Sequence, residues 1–162
     1  MERFPILTLF VFLLNYYFSF VDKNPIFFFF YHLSLLHFLG NMIVFLFAGI
    51  LTEVRYGYKT FLLVFSSSLL SSILFENLIT GQIPPFYGFS CVSYAFLGFV
   101  LMKAISNLIF SDNQKLAFFL YVLEILLITL NFLQFFEEPY RIAVFGHAMG
   151  FLTGFLSALK LS

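Results

Sequence analysis

Charge and tryptophan are what this chain has least of. Tryptophan is absent, cysteine occurs once, and only 10% of the 162 residues are charged. The lone Cys91 excludes an internal disulfide, so the redox compartment cannot be read from the sequence. Eight basic residues balance eight acidic ones. With no basic run either, the chain lacks the electrostatic footprint of a nucleic-acid binder. Hydrophobic residues make up 62% of the chain, and the mean hydropathy is +1.01. That excludes disorder, which needs little hydrophobicity and much charge. It also excludes a soluble domain, because a chain this short cannot bury so much apolar surface, and the excess must face lipid. The first apolar segment is too long and too weakly basic for a cleaved signal peptide, and no small-residue cleavage site follows it. The expectation is an integral, multi-pass membrane protein in a plasma membrane or bacterial inner membrane.

A helix needs about 20 apolar residues to cross the hydrocarbon. Six stretches qualify: Phe4–Val21, Pro25–Leu51, Thr60–Thr80, Phe86–Ile109, Lys115–Phe136 and Ile142–Leu159. The second is over-long, so the part around "PIFFFFYHL" is expected in the interface ahead of the span. Phe-rich runs such as Phe27–Phe30 read as ordinary lipid-facing material. With both termini in the cytoplasm, Arg3, Arg55, Lys59, Lys103, Lys115 and Lys160 fall inside and only Lys23 and Arg141 outside. The excess of inner positive charge favours that orientation. The fold class is therefore all-α: one transmembrane domain over residues 1–162, six helices, no soluble domain.

In that topology the second, fourth and sixth spans all run inward from the outer surface. All three histidines (His32, His37 and His147) then fall in one shallow outer layer with Asn41 and Ser90. Polar side chains inside a membrane are costly and usually face the bundle interior. His37 and Asn41 are four apart and share a helix face. Ser90, Tyr94 and Gly98 share another, and His147 lies on a ridge with Gly150, Gly154 and Ala158. Small residues let transmembrane helices approach closely, which would bring the Ser90 and His147 faces together. A serine becomes a nucleophile when a base takes its proton, and His147 is the candidate base. Asn41, His37 and backbone N–H groups at the start of the fourth span are candidate oxyanion donors. No acidic residue occupies a third role, so the pattern is a dyad.

"HFLGN" (His37 to Asn41), "GFSC" (Gly88 to Cys91) and "GHAMGFLTG" (Gly146 to Gly154) resemble the rhomboid intramembrane serine proteases, as do His32, "EVRYG" (Glu53 to Gly57) and Tyr94. The resemblance implies a six-helix rhomboid-like bundle with a water-filled cavity open to the outside. Ser90 would be the nucleophile and His147 the general base and acid. His37, Asn41 and the Ser90 N–H would hold the oxyanion, with Gly88, Tyr94, Gly150 and Gly154 in support. Transmembrane protein substrates would be cut near the outer membrane face, entering past the fifth span. Two departures stand out: Cys91 replaces the last glycine of G-x-S-G, and the short connection between the first two spans lacks a Trp-Arg pair.

Other readings weigh against these. Ser90 taken alone is a helix-start serine bonding its own backbone, and His32 reads as structural, bracing the loop or His37. Cys91 reads as a small buried hydrophobe. As a nucleophile it conflicts with Ser90, since helix neighbours point about 100° apart. As a zinc ligand with His37 and His147 it lacks a fourth partner, so no metal and no cofactor is expected. Glu124, mid-span in the fifth stretch, is a functional candidate by its burial in lipid, with the serines of "SSSLLSS" as packing residues or its partners. The rival functions are a catalytically impaired relative that binds transmembrane clients, and a small transporter, for which no inverted repeat is visible.

Overall fold

The computed structural model describes residues 4–22, 30, 32, 35–80, 89–110 and 141–160. They form five helices: α1 (Ile6–Phe20), α2 (Leu35–Tyr56), α3 (Tyr58–Thr80), α4 (Ser90–Phe110) and α5 (Arg141–Lys160). The fold is all-α, and helices occupy five of the six expected stretches. The stretch Lys115–Phe136, with Glu124, and Gly88 of the serine motif lie outside the described residues. Among those described, α2 is the one helix long and apolar enough to cross a bilayer by itself; Ile6–Phe20, Tyr58–Leu74 and Ser90–Ser106 are shorter apolar helices. The 15 residues of α1 cover roughly 22 Å of a hydrocarbon layer about 30 Å thick.

α2 starts ten residues later than Pro25 and runs past Leu51 to Tyr56. Its extension has a cause at Glu53. The first turn of any helix leaves N–H groups without partners, and Pro5, ahead of α1, offers no side-chain cap. The Glu53 carboxylate supplies it, accepting the Leu7 N–H at 2.9 Å and both the Thr8 N–H and hydroxyl at 2.8 Å. A negative group at the positive end of a helix dipole is favourable. One residue, Gly57, then separates α2 from α3. Its φ of 90° is a left-handed conformation that glycine adopts without a Cβ penalty. Its N–H closes on the Glu53 carbonyl at 2.9 Å.

α2 packs on α1, α3 and α4, and α5 packs on α3 and most extensively on α4. The core is aromatic. Phe45, fully buried, meets Phe89 edge-on at 4.9 Å, Phe96 at 5.5 Å and Phe61 at 6.3 Å. Leu36, Ile43, Ile6 and Phe10 stand outward on the opposite faces of α2 and α1, as lipid-facing side chains do. Phe30 corrects the reading of the Phe-rich run as lipid-facing: it is 5% exposed and stacks between Phe18 and Phe89, 5.7 Å from each. A ring that finds two parallel partners inside the bundle gains more there than against acyl chains.

Candidate active site

Ser90 is the first residue of α4, so the N–H groups around it have no intrahelical acceptor and point out from the helix start. Ser90 is buried. Among the described residues its hydroxyl makes no hydrogen bond, neither to its own backbone nor to His147. Ser66, Ser67, Ser68, Ser93, Ser106 and Ser157 behave differently, each returning its hydroxyl to a carbonyl three or four residues earlier. The helix-start reading of Ser90 therefore lacks the bond it needs.

One turn on, Ser93 fixes this helix start against α2. Its hydroxyl lies 3.2 Å from the carbonyl of Asn41 and 3.2 Å from that of Phe89. The Asn41 side chain is buried, and its amide nitrogen has no acceptor among the described residues. A buried donor left unpaired costs about 1–3 kcal/mol, so this amide is a donor waiting for an acceptor. His37, one turn earlier on α2, is half-buried. It lies within electrostatic range of both His32 and His147, with the His32 ring edge-on at 5.2 Å.

His147 sits on α5, its ring stacked flat on Tyr94 at 4.5 Å and 13°. The small-residue ridge decides how close α5 comes. A Cβ at Gly150 would overlap the Cys91 carbonyl, one at Gly154 the Ala95 carbonyl, and one at Gly98 the Phe151 carbonyl. Glycines at these places let main chain touch main chain and carry His147 to the face of α4 that holds Ser90 and Tyr94. Thr153 adds a tie to α3, donating to Ser71 at 3.0 Å.

Three helices thus supply an unbonded serine at a helix start, an unpaired buried amide and a histidine held by ring and backbone. The family model for the Rhomboid domain matches residues 24–162. The chain belongs to the rhomboid family. It is accordingly a membrane protein, and all the candidate site residues fall inside the match. No curated protein matches the chain.

The rhomboid pattern has a glycine where this chain has Cys91. Among the described residues no non-glycine residue has a positive φ, so the backbone at 91 suits a side chain. Cys91 is buried, and what α5 touches there is its carbonyl. Among the described residues no group of three or more His, Cys, Asp or Glu side chains is placed to hold a metal.

The short connection between the first two spans, without its Trp-Arg pair, is held by other means. The Ser19 hydroxyl donates to the Phe30 carbonyl at 2.9 Å, and His32 Nδ1 lies 2.9 Å from Ser19 Oγ and 3.0 Å from that carbonyl. With the serine hydrogen directed at Phe30, Nδ1 carries a proton and donates, which leaves Nε2 as a buried acceptor with no partner among the described residues. Burial pushes the pKa of His32 down to about 4, the charge of His37 adds to this, and the Phe30 carbonyl opposes it. The roles of Glu53, Ser93 and Phe30 were not legible in the motifs; Glu53 stood in "EVRYG" without its cap being visible, and Ser93 had a signal as a second hydroxyl one turn from Ser90 on an apolar helix.

Proposed function

We propose that this rhomboid protein is an intramembrane serine endopeptidase that cuts transmembrane segments of membrane proteins near the outer membrane face. The observation that carries the reading is the Asn41 amide, buried beside the α4 start with no acceptor among the described residues. A buried donor without an acceptor costs stability and returns nothing in a purely structural role, whereas an oxyanion donor is unpaired until the reaction supplies its partner. In this reading the bundle has six spans, one domain over 1–162 and both termini in the cytoplasm.

Ser90 Oγ bonds to the scissile carbonyl carbon as its proton passes to His147, and the carbonyl electron pair moves onto oxygen. Asn41, His37 and the Ser90 N–H hold that oxyanion. Collapse breaks the C–N bond, and His147 returns the proton to the leaving amine. Water, deprotonated by His147, then releases the acyl group from Ser90. Tyr94 keeps the imidazole in plane, Gly150 and Gly154 keep α5 close, and Gly88 belongs to the serine motif. Catalytic hydrogen bonds are commonly long before substrate binds, in keeping with the unbonded Ser90.

The test is labelling of the detergent-solubilised protein by a fluorescent fluorophosphonate. Labelling is expected in wild type and Cys91→Ala and absent in Ser90→Ala and His147→Ala. A folded wild type that does not label overturns the protease and leaves a client-binding relative of the family.

A further inference from the structure

Phe18, Phe30 and Phe89 form one column of rings. Phe18 and Phe30 are 20° from parallel, Phe30 and Phe89 14°, each pair 5.7 Å between centroids. The three are 8%, 5% and 1% exposed. The lower ring belongs to α1, the middle one to the connection, and the upper one to the residue immediately before Ser90. The column is fastened at its middle by main chain as well, since the Phe30 carbonyl accepts from Ser19 and His32. His32 in turn abuts His37. The same short piece of chain therefore bears on the helix start that carries Ser90 and on the ring beside Asn41.

We propose that Phe30 is a positioning residue for Ser90: its ring, clamped to α1, sets the place of Phe89 and so of the α4 start. This rests on the protease reading above. The physical reason lies in where Phe89 sits. It precedes the helix, so no intrahelical hydrogen bond of its own N–H fixes it, and its carbonyl starts the ladder by accepting the Ser93 N–H at 3.1 Å. Its ring has neighbours on three sides: Phe45 edge-on at 4.9 Å, Phe65 at 6.2 Å and Phe30 face-on. Phe45 and Phe65 belong to α2 and α3. Among the described residues Phe30 is the partner from the connection, and its loss opens that side. Phe89 then shifts toward the gap and takes the first turn of α4 with it. In this chain the aromatic column and the Ser19 clamp do what a longer connection with its own packed residues would do.

The experiment compares fluorophosphonate labelling rates and kcat and KM on a transmembrane substrate, all well below the unfolding temperature of each variant. Phe30→Leu keeps an apolar side chain and removes the stacked plane; Phe30→Ala removes both. Phe99→Leu is the control, fully buried but packed on Tyr56, away from the column. A shift of the nucleophile by a fraction of an ångström to one ångström slows reaction by about 10-fold to 100-fold. Phe30→Leu is expected near the lower figure and Phe30→Ala near the upper, in both labelling rate and kcat, with KM within about two-fold of wild type on the same argument. Phe99→Leu lowers the unfolding temperature and labels at the wild-type rate.

The effect of Phe30→Leu also disappears in a Phe89→Leu background, because the path runs through that ring. Equal labelling of Phe30→Leu and wild type overturns the inference, as does an equal loss in Phe99→Leu. If Phe30→Ala fails to fold, Phe30→Leu and Ser19→Ala carry the same test. A wild type that does not label overturns the protease reading itself, which is a different result from a labelling wild type indifferent to Phe30.

Discussion

Glu53 and Thr8 are joined twice: the backbone N–H and the hydroxyl of Thr8 both donate to one carboxylate oxygen at 2.8 Å. The pair links the far end of α2 to the first turn of α1, and the carboxylate is almost wholly buried. Hydrogen bonds to a charged group contribute about 1.5–3 kcal/mol. Glu53→Gln turns an NH₂ group toward donors and is expected to cost about 2–3 kcal/mol of stability on the same scale. Thr8→Val keeps the backbone bond and is expected to cost about 1 kcal/mol. Thermal unfolding in detergent measures both; a Gln variant as stable as wild type would refute the role given to Glu53.

The glycines divide sharply by their surroundings. Gly154→Ala drives a methyl into the Ala95 carbonyl, so α5 must move and Tyr94 loses the His147 ring. Overpacking of this kind costs about 1–3 kcal/mol, and activity should fall with it. Gly40→Ala meets nothing within 4 Å and gains roughly 0.5–1 kcal/mol of helix propensity. Denaturation of the two variants side by side gives the answer, and a destabilised Gly40→Ala would contradict the open space seen at that position.

Stability should depend on pH through His32. Its folded pKa of about 4 lies below the ordinary value near 6.5, so between these values the unfolded chain binds a proton that the folded protein does not. The stabilisation is present in full above about pH 6.5 and is lost as the pH falls through the folded value. The loss amounts to no more than about 3 kcal/mol. His32→Gln should flatten the stability profile between those pH values, and an unchanged slope would show that another group is responsible.

Asn41→Ala should separate activity from stability. Loss of one oxyanion donor lowers kcat by about 100-fold to 1,000-fold. Because the amide has no acceptor among the described residues, its removal is expected to leave the unfolding temperature unchanged or raised. A variant that is both inactive and unstable would mean that the amide has a structural partner.

The helices were legible in the sequence because they rest on a local rule, apolar length, and the periodicity behind the small-residue ridge of α5 is local too. The contact of Gly150 and Gly154 with α4 was legible for the same reason. What the pattern could not reveal was which greasy residue faces which solvent. Phe30 and its neighbours in the run have the same side chain, and only the placement of Phe18 and Phe89, distant in sequence, makes Phe30 interior. Glu53 likewise stood in the sequence only as the first residue of "EVRYG". Its partner is the main chain of Leu7 and Thr8, and backbone donors leave no signature in a sequence.

The meeting of α4 and α5 through main-chain carbonyls also affects how the protein sits in its membrane. Two helices locked backbone to backbone tilt as one beam when the bilayer thins or thickens, since glycines hold main chain against main chain along the seam. Mismatch between protein and lipid is then absorbed by the angle of the whole beam. The spacing of Ser90 and His147 stays the same in a thin membrane and a thick one.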